Sequence, residues 1–237
     1  MKRLKNFLLD TVFPPRCAVC GEVLELEGRD SFLCTDCQKE IPFLPQGKCP
    51  HCGGETDTAG FCDSCLKIFA FDAACGAFPY ENVRHAIHLF KYGGDKTIGN
   101  GLGELMADYL LENHKELLEK VDMLVSVPLH PKKEKFRGFN QTHILCEKIA
   151  EKTGLIFQKD GLERKRETIA QSELDPKKRK VNLKDAFGAT ADFTEKRVLL
   201  VDDIFTTGTT SKECAKELYR AGAQEVMVFV LSVAGKK

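Results

Sequence analysis

Two adjacent carboxylates and a run of small hydroxyl side chains stand together in one short segment of this sequence. Residues 198–210 read VLLVDDIFTTGTT, so an apolar stretch leads into Asp202 and Asp203 and a threonine-rich loop follows. Hydroxyls and backbone N–H groups at the start of a helix suit a phosphate, because that end of a helix carries a partial positive charge. The two carboxylates would repel a phosphate and suit instead the vicinal hydroxyls of a ribose. The pattern predicts a site for a phosphorylated ribose, whose phosphate is held by Thr206, Thr207, Gly208, Thr209 and Thr210.

Two other interpretations of this segment are open. One is an ordinary capped helix that follows a strand ending in acidic residues. The other is the metal-holding acid pair of a nucleotide triphosphatase, but the chain contains no Gly-x-x-x-x-Gly-Lys-[Ser/Thr] loop to cradle a triphosphate. The ribose-phosphate interpretation accounts for both the acids and the threonines.

Eight of the eleven cysteines form four Cys-x-x-Cys pairs between residues 17 and 65. Such knuckles each present two thiolates, and two knuckles complete a tetrahedral zinc site with no open position for water, so the sites are structural. Sequential pairing, favoured by the short loops between knuckles, puts Cys17, Cys20, Cys34 and Cys37 on one ion and Cys49, Cys52, Cys62 and Cys65 on the other. The alternatives are an interleaved pairing of first with third knuckle, and disulfides or free thiols.

The other cysteines and the histidine inside this module receive simpler interpretations. Cys75, Cys146 and Cys214 stand alone in predicted strands or helices and are expected to be small core residues. His51, between two zinc ligands, is expected to be exposed and not to bind metal.

Composition limits the classes of partner. The 237 residues have a formal net charge of zero, so nucleic acid or membrane binding would need local patches. No apolar run is long enough for a membrane span, and the basic, interrupted start of the chain is typical of a short amphipathic helix and not of a secretion signal. The sequence therefore predicts a cytoplasmic protein.

Beyond residue 70 the pattern alternates between strands and helices. Strands are predicted at 73–80, 122–128, 197–201 and 225–233, and helices at 81–92, 102–120, 138–152 and 210–221. This alternation predicts an α/β fold with a parallel sheet flanked by helices. Two domains are expected: residues 1–70, with the leading helix and a double zinc ribbon, and residues 71–237. Gly99, Gly101 and Gly103, placed before the second helix, lack the preceding strand of a dinucleotide-binding loop.

Residues 198–210 resemble, at every position, the motif that binds 5-phosphoribosyl-1-diphosphate (PRPP) in type I phosphoribosyltransferases. The resemblance implies that fold for residues 71–237, a role for Asp202 and Asp203 on the ribose, and Mg²⁺ bound together with PRPP. In purine-salvage members the position of Thr206 is an acid that can serve as a base. No general base is therefore visible on this loop, and the sequence leaves open whether transfer is catalysed.

Two basic segments resemble the remaining loops of such a site. Residues 127–141, VPLHPKKEKFRGFNQ, are expected to place Arg137 at the start of a helix on the diphosphate; the alternative is a solvated basic turn. Residues 162–182 are long, polar and poorly periodic, which favours a mobile lid, or else a disordered surface loop. The catalytic set predicted in this way is Asp202, Asp203 and Arg137.

Almost the whole chain is similar to the ComF family. The matching segments are FPPRC at 13–17, the doubled Cys-x-x-Cys module, Lys91-Tyr92-x-Gly-Asp95, RGFNQ at 137–141, Arg164-x-Arg166-x-Thr168-x-x-Gln171 and Asn182-x-x-x-Ala186-Phe187. The resemblance implies a role in natural competence, in handling incoming single-stranded DNA, with an ATP-driven DNA translocase as partner. A related branch of the family is tied to gluconate uptake. The competing hypothesis is a non-enzymatic factor that grips single-stranded DNA through its basic loops, Phe136 and Phe139, and in which the PRPP site is regulatory or vestigial.

Overall fold

The computed structural model describes residues 14–25, 31–57, 60–166, 183 and 185–235. Its helices are α1 (Thr35–Glu40), α2 (Asp63–Phe69), α3 (Tyr80–Tyr92), α4 (Lys96–Asn113), α5 (Lys115–Lys120), α6 (Pro131–Arg137), α7 (Gln141–Thr153) and α8 (Thr209–Arg220). Its strands are β1 (Ala73–Pro79), β2 (Met123–Ser126), β3 (Ile156–Gln158), β4 (Leu162–Arg164), β5 (Phe187–Ala189), β6 (Arg197–Phe205) and β7 (Glu225–Val233).

Five strands form one sheet in the order β1-β7-β6-β2-β3, and every pairing in it is parallel. Strand β6 is central, β7 lies beside it, and both carry apolar residues on both faces, as expected where helices cover both sides. Leu199 and Val201 pack with α3, α4 and α7, whereas Val198 and Leu200 pack with α8 and the antiparallel β4–β5 hairpin. The predicted α/β parallel sheet is confirmed.

The cysteine-rich segment wraps the edge of the sheet at β1. The backbone N–H of Leu44 donates to Ala77 O at 2.8 Å, and that of Phe61 donates to Ala74 O at 2.8 Å. These bonds satisfy groups of an edge strand that would otherwise be open to pairing with another chain. The first pair of knuckles lies toward α4, while the second packs with the apolar residues on the α8 face.

Several predicted boundaries were wrong. The helix predicted at 102–120 is two helices, α4 and α5, and α4 begins at Lys96, so the three glycines lie inside it. A Cβ on Gly103 would come within 2.8 Å of Lys148 Cβ, so this glycine permits the close approach of α4 and α7. Strand β3 and the hairpin β4–β5 were not predicted, because strands of three residues are too short to show alternation.

Candidate ribose-phosphate site

The two predicted ribose carboxylates lie at the carboxyl end of the central strand. Strand β6 runs on to Phe205, four residues beyond the predicted end, so Asp202 and Asp203 belong to the strand and not to the loop. Both are 7% exposed. Since successive side chains of a strand point to opposite faces, the two carboxylates diverge. Asp203 meets α3 and α7, and Asp202 lies on the side of Arg164 and Cys214.

Asp203 is held by a chain of polar contacts that reaches the predicted diphosphate arginine. Lys91 Nζ lies 2.8 Å from Asp203 Oδ2, and Gln141 Nε2 donates to the same oxygen at 2.7 Å. Arg137 Nη1 in turn donates to Gln141 Oε1. The guanidinium of Arg137 also lies over the Tyr92 ring, 5.5 Å from its centre. Residues of α3, α6, α7 and β6 are thus joined into one network.

The two carboxylates have opposite protonation tendencies. Burial, together with the neighbouring Asp203, raises the pKa of Asp202 to about 8. Burial acts in the same direction on Asp203, but Lys91, Gln141 and Arg137 outweigh it and hold the pKa of Asp203 below its ordinary value. At neutral pH Asp203 is therefore an acceptor of hydrogen bonds, while Asp202 carries a proton and also donates. A dyad of this kind can both accept from and donate to the hydroxyls of a ribose.

The threonine loop opens α8 at the same end of the sheet. Gly208 adopts φ +68° and precedes the helix, and the hydroxyls of Thr207 and Thr209 lie 2.9 Å apart. A Cβ on Gly208 would come within 2.5 Å of the Phe205 ring and 2.6 Å of the Phe69 ring. Aromatic packing therefore fixes the position of the loop, and the backbone N–H groups at the start of a helix suit an anion.

The aromatic support beneath this loop comes from the second cysteine module. Phe61, Phe69 and His51 all contact the Phe205 ring edge-on, at centroid distances of 4.8, 5.1 and 5.7 Å. Lys212 of α8 donates to Ile68 O at 2.5 Å. His51 is 8% exposed, so its predicted exposure was wrong: its ring fills the space between the knuckles and β6, and its Nδ1 lies 3.4 Å from Cys65 Sγ.

Both cysteine clusters fit a tetrahedral metal. The sulfurs of Cys17, Cys20, Cys34 and Cys37 lie within 4.8 Å of one another, and so do those of Cys49, Cys52, Cys62 and Cys65. Individual separations are 3.7 Å for Cys20–Cys34 and 3.6 Å for Cys52–Cys62. Four thiolates at a Zn–S distance of about 2.3 Å would stand about 3.8 Å apart. The sequential pairing and two structural zinc sites are confirmed, and Cys75, Cys146 and Cys214 are buried core residues as predicted.

A cleft of about 730 Å³ brings most of the predicted residues together. Asp202, Asp203, Thr206, Thr210 and Arg137 line it. Thr207, Gly208 and Thr209 continue the same loop without lining the cleft. Gln141 and Lys133 of the predicted segment 127–141 and Arg164 of the predicted segment 162–182 line it too, whereas the wall formed by one face of α3 was missed from the sequence. The spacing of Arg84, His88 and Lys91 at helical intervals was the signal that could have found it.

The basic segment differs from its prediction in two ways. Arg137 ends α6 instead of beginning a helix, and Asn140 caps α7 by accepting from the Thr142 N–H at 3.2 Å. Phe139 is buried against Phe90, with ring centres 5.5 Å apart, so it cannot stack on a nucleotide base; Phe136 is 90% exposed. Of the segment predicted as a lid, residues 162–164 form β4, and residues 167–182 lie outside the described part of the chain.

Among the described residues, no helix combines the length and the apolar character that crossing a membrane requires.

Residues 8–66 match the model of the double zinc ribbon domain. The chain is 31% identical to competence protein F of Haemophilus influenzae over 228 residues, which cover 92% of this chain and 97% of the relative. It is 34% identical to the DNA utilization protein YhgH of Salmonella typhi, over 92% of this chain and 96% of that one. It is 29% identical to competence protein ComFC of Streptococcus pneumoniae, over 91% of this chain and 99% of the relative.

Two solved structures match part of the chain at low identity. The allosteric regulatory enzyme of purine biosynthesis matches 56% of this chain and 26% of its own, with 22% identity and a TM-score of 0.38. The purine phosphoribosyltransferase of Pyrococcus horikoshii matches 57% of this chain and 73% of its own, with 16% identity and a TM-score of 0.36.

Proposed function

Because this chain belongs to the competence protein F family, we propose that it binds PRPP at the carboxyl end of β6 and acts in natural competence, on the cytoplasmic side of DNA uptake. An ATP-driven DNA translocase is the partner expected in that role. The printed names of the relatives, competence protein and DNA utilization protein, support a DNA-related pathway over gluconate uptake.

The observation that carries the PRPP site is the network from Asp203 through Gln141 to Arg137. In this proposal Asp202 and Asp203 bind the ribose hydroxyls, and the loop from Thr206 to Thr210 binds the 5′-phosphate. Arg137 binds the diphosphate, and the network fixes its position relative to the ribose acids. Mg²⁺ bound with PRPP would neutralise charge on the diphosphate.

Titration calorimetry with PRPP and Mg²⁺ tests this assignment. We expect micromolar binding to the wild type and none to the Asp202→Ala, Asp203→Ala double variant. Asp108→Asn is the matched control, because Asp108 pairs with Lys152 on the surface and does not line the cleft. Normal transformation by a strain carrying the double variant would show that the site is not the working part of the protein.

A second candidate function is the binding of single-stranded DNA. Helix α6 carries Lys132, Lys133, Lys135 and Arg137 around the exposed Phe136. An exposed aromatic ring among cations suits stacking on a base beside phosphates. DNA affinity measured by fluorescence anisotropy should fall in Phe136→Ala and survive the double aspartate variant if this surface acts alone. Loss of DNA binding in the aspartate variant would place DNA in the PRPP cleft instead.

A further inference from the structure

One wall of the cleft contains residues to which the proposed PRPP site assigns no role. It is one face of α3, on which Arg84, His88 and Lys91 follow one another at intervals of four and three residues. Residues so spaced lie on one side of a helix. Lys91 anchors this face to the site, because its Nζ lies 2.8 Å from Asp203 Oδ2.

The helix rise places the other two residues at increasing distances from Lys91 along the axis of α3. His88 stands about 5 Å along the axis from Lys91, and Arg84 about 10 Å, at 1.5 Å per residue. The His88 ring contacts Tyr92, with ring centres 5.0 Å apart, and Tyr92 lies beneath the Arg137 guanidinium. The His88 imidazole thus contacts the ring that carries the Arg137 guanidinium, and Arg84 lines the same cleft one helical turn farther along α3.

The His88 imidazole and the Arg84 guanidinium provide chemical groups that the phosphate loop lacks. Thr206 provides no carboxylate to take up a proton, whereas a histidine can do so near neutral pH. Arginine binds carboxylates through two parallel hydrogen bonds. His88 and Arg84 are four positions apart, about 6 Å along the helix axis, which suits a single small ring that carries both a nucleophilic N–H and a carboxylate.

We propose that the α3 face formed by Arg84 and His88 is an acceptor subsite, and that the acceptor is a small aromatic carboxylate with a nucleophilic N–H. This rests on the proposed PRPP site. The acceptor nitrogen forms a bond to C1 of the ribose while the C1–O bond to the diphosphate breaks. The diphosphate leaves with the electron pair of that bond, and the N–H proton passes to an imidazole nitrogen of His88. Arg84 holds the carboxylate of the acceptor.

The binding test uses two pairs of probes that differ by a carboxylate: anthranilate with aniline, and orotate with uracil. Each is titrated into the wild-type protein that has been loaded with PRPP and Mg²⁺. We expect at least one acid to bind tenfold or more tightly than its neutral partner, and the Arg84→Gln variant to lose that preference. Arg220→Gln is the control, since Arg220 pairs with Glu217 on the surface of α8.

The kinetic test follows diphosphate release with the preferred acid. His88→Gln should lower kcat about a hundredfold with the acceptor KM and PRPP affinity unchanged, whereas Arg84→Gln should raise the acceptor KM. His143→Gln, away from the cleft, should behave as the wild type.

Failure of PRPP to bind would overturn both proposals. PRPP binding without a preference for either acid, or with a preference that survives Arg84→Gln, would overturn the acceptor subsite alone. An unchanged kcat in His88→Gln would overturn the proton transfer.

Discussion

Asp202 and Asp203 are adjacent in the chain, yet their surroundings give them different chemistry. Asp203 has Lys91 and Gln141 as partners, whereas Asp202 accepts the backbone N–H of Asp203 at 2.8 Å and is otherwise enclosed. The environment of each carboxylate, and not its type, therefore sets which of the two is ionised. Such a split within one pair is typical of functional sites.

The raised pKa of Asp202 makes stability depend on pH in a defined direction. With a pKa of about 8 when folded and about 4 when unfolded, the native state binds the extra proton between these values, so this group lowers the stability as pH rises through that window. Asp202→Asn removes the titration. From pH 5 to pH 7 the variant should gain about 2.6 kcal/mol in unfolding free energy relative to the wild type, at about 1.4 kcal/mol per pH unit for one proton. Urea unfolding of both proteins at pH 5 and pH 7 measures this gain. If the difference in unfolding free energy between the variant and the wild type is the same at both pH values, Asp202 does not bind the proton.

The residue types of the site were readable from sequence, but their partners were not. Two acids before a threonine loop are a local pattern, so Asp202, Asp203 and the loop could be predicted. Lys91 and Gln141 are 112 and 62 positions from Asp203, and only the packing of α3 and α7 on the sheet brings them together. His51 was misjudged in part for the same reason, because the Phe205 ring of β6, one of the rings that bury it, is distant in sequence.

At the level of elements, the loop before α8 depends on tight packing against the second cysteine module. Gly208 and Gly138 both have positive φ, +68° and +85°, but a Cβ on Gly138 would meet no atom within 4 Å. Gly138→Ala should therefore cost only the strain of a left-handed backbone, about 1 kcal/mol. Gly208→Ala should cost about 1–3 kcal/mol more, because the methyl overlaps two phenyl rings. Thermal unfolding of both variants measures the difference; equal losses would contradict the packing role of Phe69 and Phe205.

The two zinc sites should affect the phosphate loop unequally. Phe61 and Phe69, which support the loop, belong to the module of Cys62 and Cys65, whereas the first module packs toward α4. Cys52→Ser should lower the zinc content from two ions to one and weaken PRPP binding at least tenfold. Cys20→Ser is the matched variant: it should lose the other ion and bind PRPP as the wild type does. Metal analysis measures the zinc content and calorimetry measures the PRPP affinity on the same samples. An equal loss of PRPP affinity in Cys52→Ser and Cys20→Ser would show that the effect is general destabilisation.

The molecule as a whole has no net charge, so binding to DNA cannot come from its overall field. Any such binding must arise from local cations, and α6 provides four of them around Phe136. Each phosphate neutralised on a single strand contributes about −0.7 to the slope of log K against log salt, so four contacts predict a slope of about −3. The double variant Lys132→Gln, Lys135→Gln should halve the slope. Phe136→Ala should weaken binding by about 1–3 kcal/mol and leave the slope unchanged. Anisotropy titrations from 50 to 300 mM salt would read both quantities. A slope near zero for the wild type would show that α6 does not bind the DNA backbone, and would leave the PRPP cleft as the functional surface.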